Sequence, residues 1–289
     1  LRQQSLYATS NSSSTHFQRY RGYNQIEMND QSNALVTLQK EEEVSLINLN
    51  DEGSFNSLSE NLLKELFAVL KQADQDDSTK VLVIRGVGRG FSAGHNLKEV
   101  QENQNDDFYR DLLNSCKDVM TFLSNLSKPV IAEVHGVATA AGCQLVASCD
   151  LAYADNDTRF ATPGVNIGLF CHTPLVPVSR TIAKKHSMEM LLLGDLIEAS
   201  EAKRFGLIND IFEPELLHQK VMEVAKIISS KSSYVLKMGK ETFYKQLDMD
   251  LGEAYEYATE RMIQNLNADD AKEGIDAFIS KRDPEWKNR

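Results

Sequence analysis

The fold is decided by the stretch Gly90-Phe91-Ser92-Ala93-Gly94-His95-Asn96-Leu97-Lys98. It comes soon after Val81-Leu82-Val83-Ile84, a β-branched run that predicts a buried strand. Four of the chain's fifteen glycines fall within positions 86–94, so the chain is expected to turn sharply where this strand ends. Small residues at a strand-to-helix turn leave backbone N–H groups open, and a helix N-terminus behind them adds partial positive charge. The stretch therefore predicts a turn that can bind a negatively charged oxygen.

A second stretch repeats this order of features. Pro129-Val130-Ile131-Ala132 begins a buried strand, which leads into the small-residue turn Gly136-Val137-Ala138-Thr139-Ala140-Ala141-Gly142. A helix is predicted to continue from this turn through Val146, and Cys149-Asp150 precede a further strand at Leu151-Ala152-Tyr153. Strands that alternate with helices and have continuous apolar runs indicate βα repeats and a sheet covered on both faces.

Local patterns predict the other elements. Short strands are expected at 34–38 and 44–49. Ser57 followed by Glu60 resembles a capping box that opens a helix, and Ser200 is placed to cap a short helix that ends at Gly206. A polar-faced helix is expected from about 106 to 126. After about Ala183 the pattern is mostly helical, with amphipathic segments at 214–229, 232–246, 250–266 and 268–281.

The composition excludes several classes of protein. The 289 residues include 42 acidic and 31 basic ones, which gives a net charge of −11 and opposes a main role in binding nucleic acid. No stretch approaches the roughly 18 uninterrupted apolar residues of a membrane helix, so no membrane partner is predicted. The cysteines have neither CxxC nor zinc-site spacing, which predicts reduced thiols and no metal site. They are Cys116, Cys143, Cys149 and Cys171.

The first 26 residues differ from the rest of the chain. They carry Arg2, Arg19 and Arg21, a serine-rich run, and no lysine, aspartate or glutamate. The residues from 27 onward therefore carry a net charge of −14, three units more negative than the whole chain. An arginine-bearing, serine-rich segment without acidic residues is typical of mitochondrial transit peptides. We expect residues 1–30 to be such a segment and the protein to lie in the mitochondrial matrix.

Together the two decisive stretches resemble the enoyl-CoA hydratase/isomerase, or crotonase, superfamily. The resemblance runs from about Ile47 to Lys287. It implies an α/β fold with a ClpP-like core of ββα repeats arranged as a spiral, here at residues 31–200, and a helical C-terminal region at 201–289. It also implies that this helical region forms a homotrimer or a dimer of trimers. Further matching segments are Gly194-Asp195, Glu201-Ala202-Lys203, Gly206-Leu207-Ile208 and Lys272-Glu273-Gly274.

The resemblance also implies the parts of a site for a CoA thioester. The backbone N–H groups of His95 and Ala141 would form an oxyanion hole for the thioester oxygen, although Ala141 stands where relatives usually have glycine. The coenzyme would be a substrate or ligand, and no permanently bound cofactor is implied. Six residues are placed beside it: Phe91, Ser92, Ala93 and Lys98, with Phe278 and Lys281 contributed by a neighbouring subunit.

The residues that transfer protons in hydratases of this superfamily are missing. Those enzymes hold one water between two glutamates, one acting as base and the other as acid. Gln144 and Gly164 occupy the matching positions, and neither can exchange a proton near neutral pH. His172, eight residues after Gly164, is the candidate for a substitute base. Cys143 and Cys171 are nearby thiols, and Glu133 lies on the strand before the second turn. A structural role is the preferred interpretation for each of these candidates.

Three functions remain open from these residues. The first is an enzyme of fatty-acid metabolism that acts on acyl-CoA thioesters, with weak or absent hydratase activity, or an isomerase-type enzyme that uses another base. The second is a non-catalytic or regulatory protein of lipid metabolism that binds acyl-CoA. The third is a subunit whose role lies in its interfaces. The oxyanion constellation favours the first two, and the missing glutamates favour the second over the first.

Overall fold

A main sheet of six strands and a small sheet of three strands carry the fold. The computed structural model describes residues 34–289, so the predicted transit segment lies outside the described residues. The strands are β1 (Val36–Glu41), β2 (Val44–Leu49), β3 (Val81–Gly86), β4 (Val130–Val134), β5 (Val137–Thr139), β6 (Leu151–Asp155), β7 (Arg159–Ala161), β8 (Ile197–Glu198) and β9 (Asp210–Phe212).

The main sheet has the order β1-β2-β3-β4-β6-β9. β1 and β2 form an antiparallel hairpin, and every later pair in this sheet is parallel. The small sheet has the order β5-β7-β8, with β5 parallel and β8 antiparallel to β7. Each parallel step requires a crossover through other elements. The observed sheets therefore agree with the βα repeats predicted from the apolar strand runs.

Residues 34–289 form eleven α-helices, and some of them cover the two faces of the main sheet. They are α1 (Glu60–Gln75), α2 (Leu97–Glu102), α3 (Asp106–Asn125), α4 (Ala141–Ser148), α5 (Leu175–Thr181), α6 (Lys184–Leu193), α7 (Ala199–Phe205), α8 (Pro214–Ser229), α9 (Ser233–Gln246), α10 (Leu251–Asn267) and α11 (Asp269–Ser280). Leu66 of α1 and Val119 of α3 belong to the larger core on one face, while Val221 of α8 packs with Leu46 and Val83 on the other.

Two predicted helix caps are wrong. The α1 helix begins two residues later than the Ser57 cap implies, because Ser59 is the N-cap and accepts the Leu62 N–H at 3.2 Å. The α7 helix begins at Ala199 after Glu198, not after Ser200. Its predicted end at Gly206 is confirmed, since Gly206 has a φ of 88°. A serine hydroxyl caps only where the chain enters the helix from an extended conformation, which the residue type alone does not specify.

The first strand starts two residues later than predicted. β1 pairs with β2 from Val36 opposite Leu49 to Glu41 opposite Val44, so only Glu42 and Glu43 form the connection. Glu42 takes a φ of 55°. Two-residue hairpin loops usually contain glycine or asparagine at such a position, and two glutamates gave no indication of one. The pairing register with β2, rather than the local sequence propensity, determines where β1 begins and ends.

The C-terminal helices agree closely with the predicted segments, and α9 is fastened to the core by a buried ion pair. Lys240 Nζ lies 2.7 Å from Asp150 Oδ2 and also donates to the carbonyl oxygens of Leu123 and Lys128, each at 2.9 Å. The Tyr244 hydroxyl donates to Asp150 Oδ1 at 2.8 Å. Contacts gather residues 35–289 into one compact unit; the division near residue 200 stays a prediction.

The outer surface of α9, α10 and α11 is rich in exposed apolar side chains. Phe278 of α11 is 86% exposed, and Leu251 and Tyr255 of α10 are 75% and 69% exposed. A contiguous apolar surface on a protein usually marks an interaction site. Within the described residues, no helix combines the length and apolarity needed to cross a membrane.

Candidate functional site

The two predicted turns interlock. Ser92 N donates to Val137 O at 3.1 Å, and Thr139 N donates to Ser92 O at 3.0 Å, so the first turn pairs with β5 like a short parallel strand. A Cβ atom added at Gly142 would lie 2.2 Å from Ser92 O. Glycine is therefore required at position 142 for the two backbones to approach this closely.

Gly94 makes the second close approach. Its φ is +89°, and a Cβ atom there would lie 2.8 Å from the Ala140 methyl carbon and 3.1 Å from Ala141 N. Ala140 itself has a φ of 50° and a ψ of −117°, a conformation that non-glycine residues adopt only at a cost in free energy. Its N–H donates to Ala161 O at 2.9 Å, which holds this conformation. The geometry thus places Ala141 directly beside the residue that precedes His95.

The two predicted oxyanion donors have free N–H groups. Ala141 is the first residue of α4, and no side chain among residues 34–289 caps this helix. Neither the His95 N–H nor the Ala141 N–H has an acceptor within that part of the chain. Unpaired donors at a helix N-terminus attract negative charge. Two free backbone donors on adjoining turns are what an oxyanion hole needs, and this role of His95 and Ala141 stays a prediction.

The His95 ring is held in one tautomer. Nδ1 lies 3.1 Å from Leu58 O, and a carbonyl can only accept, so Nδ1 carries the proton. Burial lowers the pKa of His95, and the hydrogen bond to Leu58 only partly offsets this. The ring is therefore neutral at physiological pH. Nε2 is buried and finds no hydrogen-bond partner among residues 34–289.

The predicted CoA-facing residues divide into buried and exposed ones. Phe91 and Ser92 are fully buried, and the Ser92 hydroxyl donates to Asn56 O at 2.8 Å. Their side chains therefore have no free surface for the coenzyme. Ala93 and Lys98 are exposed, and Lys98 lies in the first turn of α2, so these two keep the surface that a ligand contact would need.

The two positions predicted to match the glutamates of hydratases, Gln144 and Gly164, lie in different surroundings. Gln144 is 4% exposed, and its Oε1 lies 3.9 Å from the Cys116 thiol. Gly164 is buried, and its N–H points to Cys171 Sγ at 3.4 Å. A Cβ atom at Gly164 would lie 2.9 Å from Leu169 O and 3.0 Å from Cys171 Sγ. No side chain fits at position 164 unless the segment 169–171 moves.

The cysteines near this end of the site stay protonated. Burial raises the pKa of the Cys116 and Cys143 thiols to about 12 each. It also raises the pKa of Cys171, although the Gly164 N–H acts in the opposite direction. Nucleophilic attack by cysteine requires the thiolate. All four cysteines are unpaired, and the three named here are structural thiols rather than reactive ones.

The candidate bases lie away from the two turns or at the surface. His172 is exposed, with its ring 5.2 Å from that of Phe170. Glu133 points to the α8 face of the sheet, where its Oε2 lies 2.9 Å from His218 Nδ1. Glu133 therefore lies on the opposite side of the sheet from the core that contains Ala141. The predicted structural role of Glu133 matches this placement.

Phe278 and Lys281 lie on the C-terminal helical region. α11 packs against α9 and α10, and Lys281 ends it with a φ of 54°. Within one chain the structure does not bring these residues to the two turns, as expected if they serve a neighbouring subunit. That role stays a prediction.

Two polar groups near the turns were missed from the sequence. Thr162 is fully buried, and its hydroxyl has no partner among residues 34–289. The buried Ser57 hydroxyl is likewise unpartnered in the same part of the chain. Thr162 follows Ala161, whose carbonyl oxygen accepts a hydrogen bond from Ala140 N. In the sequence, the one sign that Thr162 lies near the site is its position two residues before Gly164.

Two surface clefts lie away from the two turns. One of about 310 Å³ is lined by charged residues of α11 and the chain end, among them Asp269, Lys272 and Lys287. A smaller one of about 100 Å³ lies at the far end of α4, beside Cys149 and Asn209. Neither cleft is lined by residues of the two turns. Among residues 34–289 no group of three or more His, Cys, Asp or Glu side chains could hold a metal ion.

Comparison with known proteins identifies the class that this fold and these turns define. Residues 39–289 match the family described as enoyl-CoA hydratase/isomerase, and the chain belongs to this family. The spiral α/β crotonase fold predicted from the two stretches is thereby confirmed.

Three members of this family, one known from its sequence and two from their crystal structures, are similar to the chain over most of its length. It is 45% identical over 253 residues to the mouse protein named enoyl-CoA hydratase domain-containing protein 3, mitochondrial, covering 87% of this chain and 84% of that one. The crystal structure of the human protein of that name superposes with a TM-score of 0.85 at 42% identity, covering 88% of this chain and all of the other. An enoyl-CoA hydratase structure from Mycobacterium smegmatis gives 0.86 at 41% identity, covering 88% and 99%. The mitochondrial localisation predicted from the sequence is confirmed by these relatives.

Proposed function

We propose that the chain binds acyl-CoA thioesters, with the thioester oxygen between the N–H groups of His95 and Ala141. The observation that carries this proposal is the interlocking of the two turns. It brings two unpaired backbone donors together without any side chain that could neutralise them. Donors fixed in this way stabilise negative charge on a thioester oxygen without rearranging when the charge develops.

The same site is poorly equipped for hydration of a double bond. Adding water requires a base and an acid, and each typically accelerates such a reaction about 10²–10⁴-fold. Gln144 offers only an amide, and Gly164 offers no side chain. We therefore infer that hydratase activity is weak or absent. The protein binds acyl-CoA or performs enolate chemistry that does not use two carboxylates, in the mitochondrial metabolism of fatty acids.

The binding proposal is tested by comparing two ligands on the full chain. Butyryl-CoA carries the thioester oxygen, whereas the S-butyl-CoA thioether has the same length and lacks it. Two hydrogen bonds of about 0.5–1.5 kcal/mol each predict that butyryl-CoA binds about 5- to 150-fold more tightly in titration calorimetry. Equal affinities would contradict the oxyanion hole, and no affinity for either would contradict CoA binding itself.

The turnover proposal is tested with trans-2-enoyl-CoAs of several chain lengths, followed by the loss of the conjugated thioester absorbance. The natural chain is expected to show little or no loss. Gln144→Glu introduces a carboxylate of the same length and is the informative gain-of-function variant. Gly164→Glu is not, because a side chain collides with Leu169 O and Cys171 Sγ there. Ordinary hydratase rates in the natural chain would overturn the inference and indicate another base, of which His172 is the candidate.

We further propose that the chain assembles into a homotrimer or a dimer of trimers through the apolar surface of α9, α10 and α11. The support is the exposure of its large apolar side chains, above all Phe278 and Ile279. Such a surface would place Phe278 and Lys281 of one subunit beside the CoA site of the next.

A further inference from the structure

We propose that Asn56 is a positioning residue for the oxyanion hole, and that it acts by fixing the direction in which the His95 N–H points. The inference rests on the proposed function, because it takes the thioester oxygen to lie at the His95 and Ala141 N–H groups. Asn56 acts without contacting the ligand. It holds the backbone segment 55–58, which in turn holds the part of the first turn that ends at His95.

The direction of the His95 N–H is set by a contact on the other side of the same peptide group. The Gly94 carbonyl and the His95 N–H belong to one peptide group, and the described residues contain no cis peptide bond. In a planar trans peptide the C=O and the N–H point in opposite directions. Leu58 N donates to Gly94 O at 2.7 Å, so the His95 N–H points away from Leu58. The position of Leu58 therefore aims the first oxyanion donor.

Each residue from 92 to 95 forms a hydrogen bond with the segment 55–58. The four bonds join Ser92 Oγ to Asn56 O at 2.8 Å, Ala93 N to Phe55 O at 3.0 Å, Leu58 N to Gly94 O at 2.7 Å and His95 Nδ1 to Leu58 O at 3.1 Å. A turn that is bound at four successive residues follows the backbone to which it is bound. The conformation of the segment 55–58 therefore determines that of the turn.

Asn56 gives this segment its shape through an unusual backbone conformation. Phe55 and Asn56 have φ values of 56° and 51°, in the left-handed region that residues other than glycine rarely adopt. Asparagine tolerates this region better than most other residues do. Asn56 N donates to Asp51 O, and Asn56 Oδ1 accepts the Asp51 N–H, each at 2.8 Å. The two bonds to Asp51 hold the successive left-handed residues in place.

The Asn56 amide also binds the first turn directly. Its two N–H groups donate to Val87 O and Gly90 O, each at 2.9 Å, and the residue is fully buried. These two carbonyl groups are three residues apart, so a single amide closes the loop between them. Aspartate tolerates the same backbone conformation, but its carboxylate only accepts and would face two carbonyl oxygens. Asparagine combines the backbone tolerance with the two donors that this position uses.

The experiment measures the preference of each variant for butyryl-CoA over the S-butyl-CoA thioether, by titration calorimetry of the full chain. This ratio of affinities reports the oxyanion contacts, because the two ligands share the coenzyme and differ in the thioester oxygen. Asn56→Gly permits the left-handed backbone conformation and removes the amide. Misdirecting one of the two donors is expected to lower the preference about two- to thirteenfold, while the affinity for the thioether stays unchanged. A purely structural role would change both affinities together and leave the preference as it was.

Asn288→Gly is the matched control. Asn288 also has a left-handed φ, of 56°, and its Oδ1 accepts the Ser233 N–H at 2.9 Å at the start of α9. The variant therefore removes an asparagine amide from the same backbone conformation in the C-terminal region. It should keep the full preference for butyryl-CoA.

The outcomes separate this inference from the function on which it rests. A folded Asn56→Gly variant that keeps the full preference overturns the inference while the oxyanion hole stands. If Asn56→Gly does not fold, Ser92→Ala decides, because it removes the hydroxyl that joins the first turn to Asn56 O. A lower preference in Ser92→Ala supports the inference, and an unchanged one overturns it. If the natural chain shows no preference for butyryl-CoA, the oxyanion hole itself fails, and the inference fails with it.

Discussion

At the scale of single residues, the site depends on positions where no side chain, or only a methyl group, is accommodated. Gly142 meets Ser92 O, and Gly94 meets Ala140, at distances that exclude a larger residue. Ala140 accepts an unfavourable backbone conformation so that Ala141 can begin α4 beside the first turn. Backbone strain of this kind persists only where surrounding contacts impose it. The site is therefore formed by close backbone packing before any ligand arrives.

The first residue-scale prediction concerns that packing. Gly142→Ala places a methyl carbon 2.2 Å from a carbonyl oxygen, and overpacking of this severity predicts a loss of about 3 kcal/mol in the free energy of unfolding. Urea denaturation measures it. Gly239→Ala is the matched control, because nothing lies within 4 Å of its added Cβ in the exposed part of α9; there we expect a gain of about 0.5–1 kcal/mol. Equal effects at both positions would contradict the interlocked turns.

The second residue-scale prediction concerns how the free energy of unfolding changes as the pH falls. The pKa of His95 is lowered by burial from 6.5, so the folded chain binds fewer protons at this residue than the unfolded chain does. Its contribution to stability is therefore complete above pH 6.5 and decreases as the pH falls below that value. We expect His95→Asn, whose amide can still donate to Leu58 O, to lose less stability between pH 7.5 and 5 than the natural chain loses.

The control for the acid prediction is His172→Asn. That ring is exposed and lies 5.2 Å from the Phe170 ring, so its surroundings change little on unfolding and the variant should follow the natural chain across the same range of pH. Urea denaturation at each pH provides the free energies of unfolding. A natural chain and a His95→Asn variant with the same pH dependence would show that His95 is not protonated preferentially in the unfolded state.

At the scale of elements, the join between α9 and the core is the informative contact. Lys240 is 7% exposed in its side chain and pairs with Asp150 at 2.7 Å. Removing one partner of a buried ion pair leaves the other charge uncompensated. Lys240→Met is expected to reduce the free energy of unfolding by about 3–5 kcal/mol, measured by urea denaturation.

The control for Lys240→Met is the same kind of substitution in an ion pair on the surface. Lys203 pairs with Asp210, and both side chains are more than 40% exposed. Lys203→Met is expected to cost no more than about 1 kcal/mol. If Lys240→Met proves as mild as Lys203→Met, α9 is held to the core by apolar packing alone, and the ion pair is not what fastens it.

Individual elements also show which parts of the fold can be predicted from the sequence and which cannot. The helix at 214–229 was predicted to the residue, because Pro214 fixes its start and the apolar spacing its extent. The two turns and their glycines were found because strand, turn and helix follow one another locally. β1 was misplaced because its ends depend on pairing with β2. Thr162 and the Ser57 hydroxyl were missed because what distinguishes them is the lack of a partner among residues 34–289, which only the packed structure reveals.

At the scale of the whole molecule, the exposed apolar side chains of α9 to α11 are the basis of the proposed assembly. Phe278 is the most exposed of the large apolar residues on α9 to α11, and it also stands at a position implied to reach a neighbouring subunit's ligand. Phe278→Asp is expected to shift the molar mass in size-exclusion chromatography with light scattering from a trimer or its multiple toward the 32.4 kDa chain. Lys98→Asp, at an exposed position on α2, serves as the control and should leave the assembly unchanged. A natural chain that runs as a monomer would contradict the proposed assembly.

The central claim is that two backbone N–H groups hold the thioester oxygen, and the most direct measurement is infrared difference spectroscopy of butyryl-CoA labelled with ¹³C at its carbonyl carbon. Hydrogen bonds from His95 and Ala141 draw electron density onto the oxygen and weaken the carbonyl bond. The account predicts that the carbonyl stretching frequency of the bound ligand falls clearly below that of the free ligand in water. A bound ligand whose carbonyl frequency equals or exceeds the free value would contradict the account, because the thioester oxygen would then not lie between the two donors.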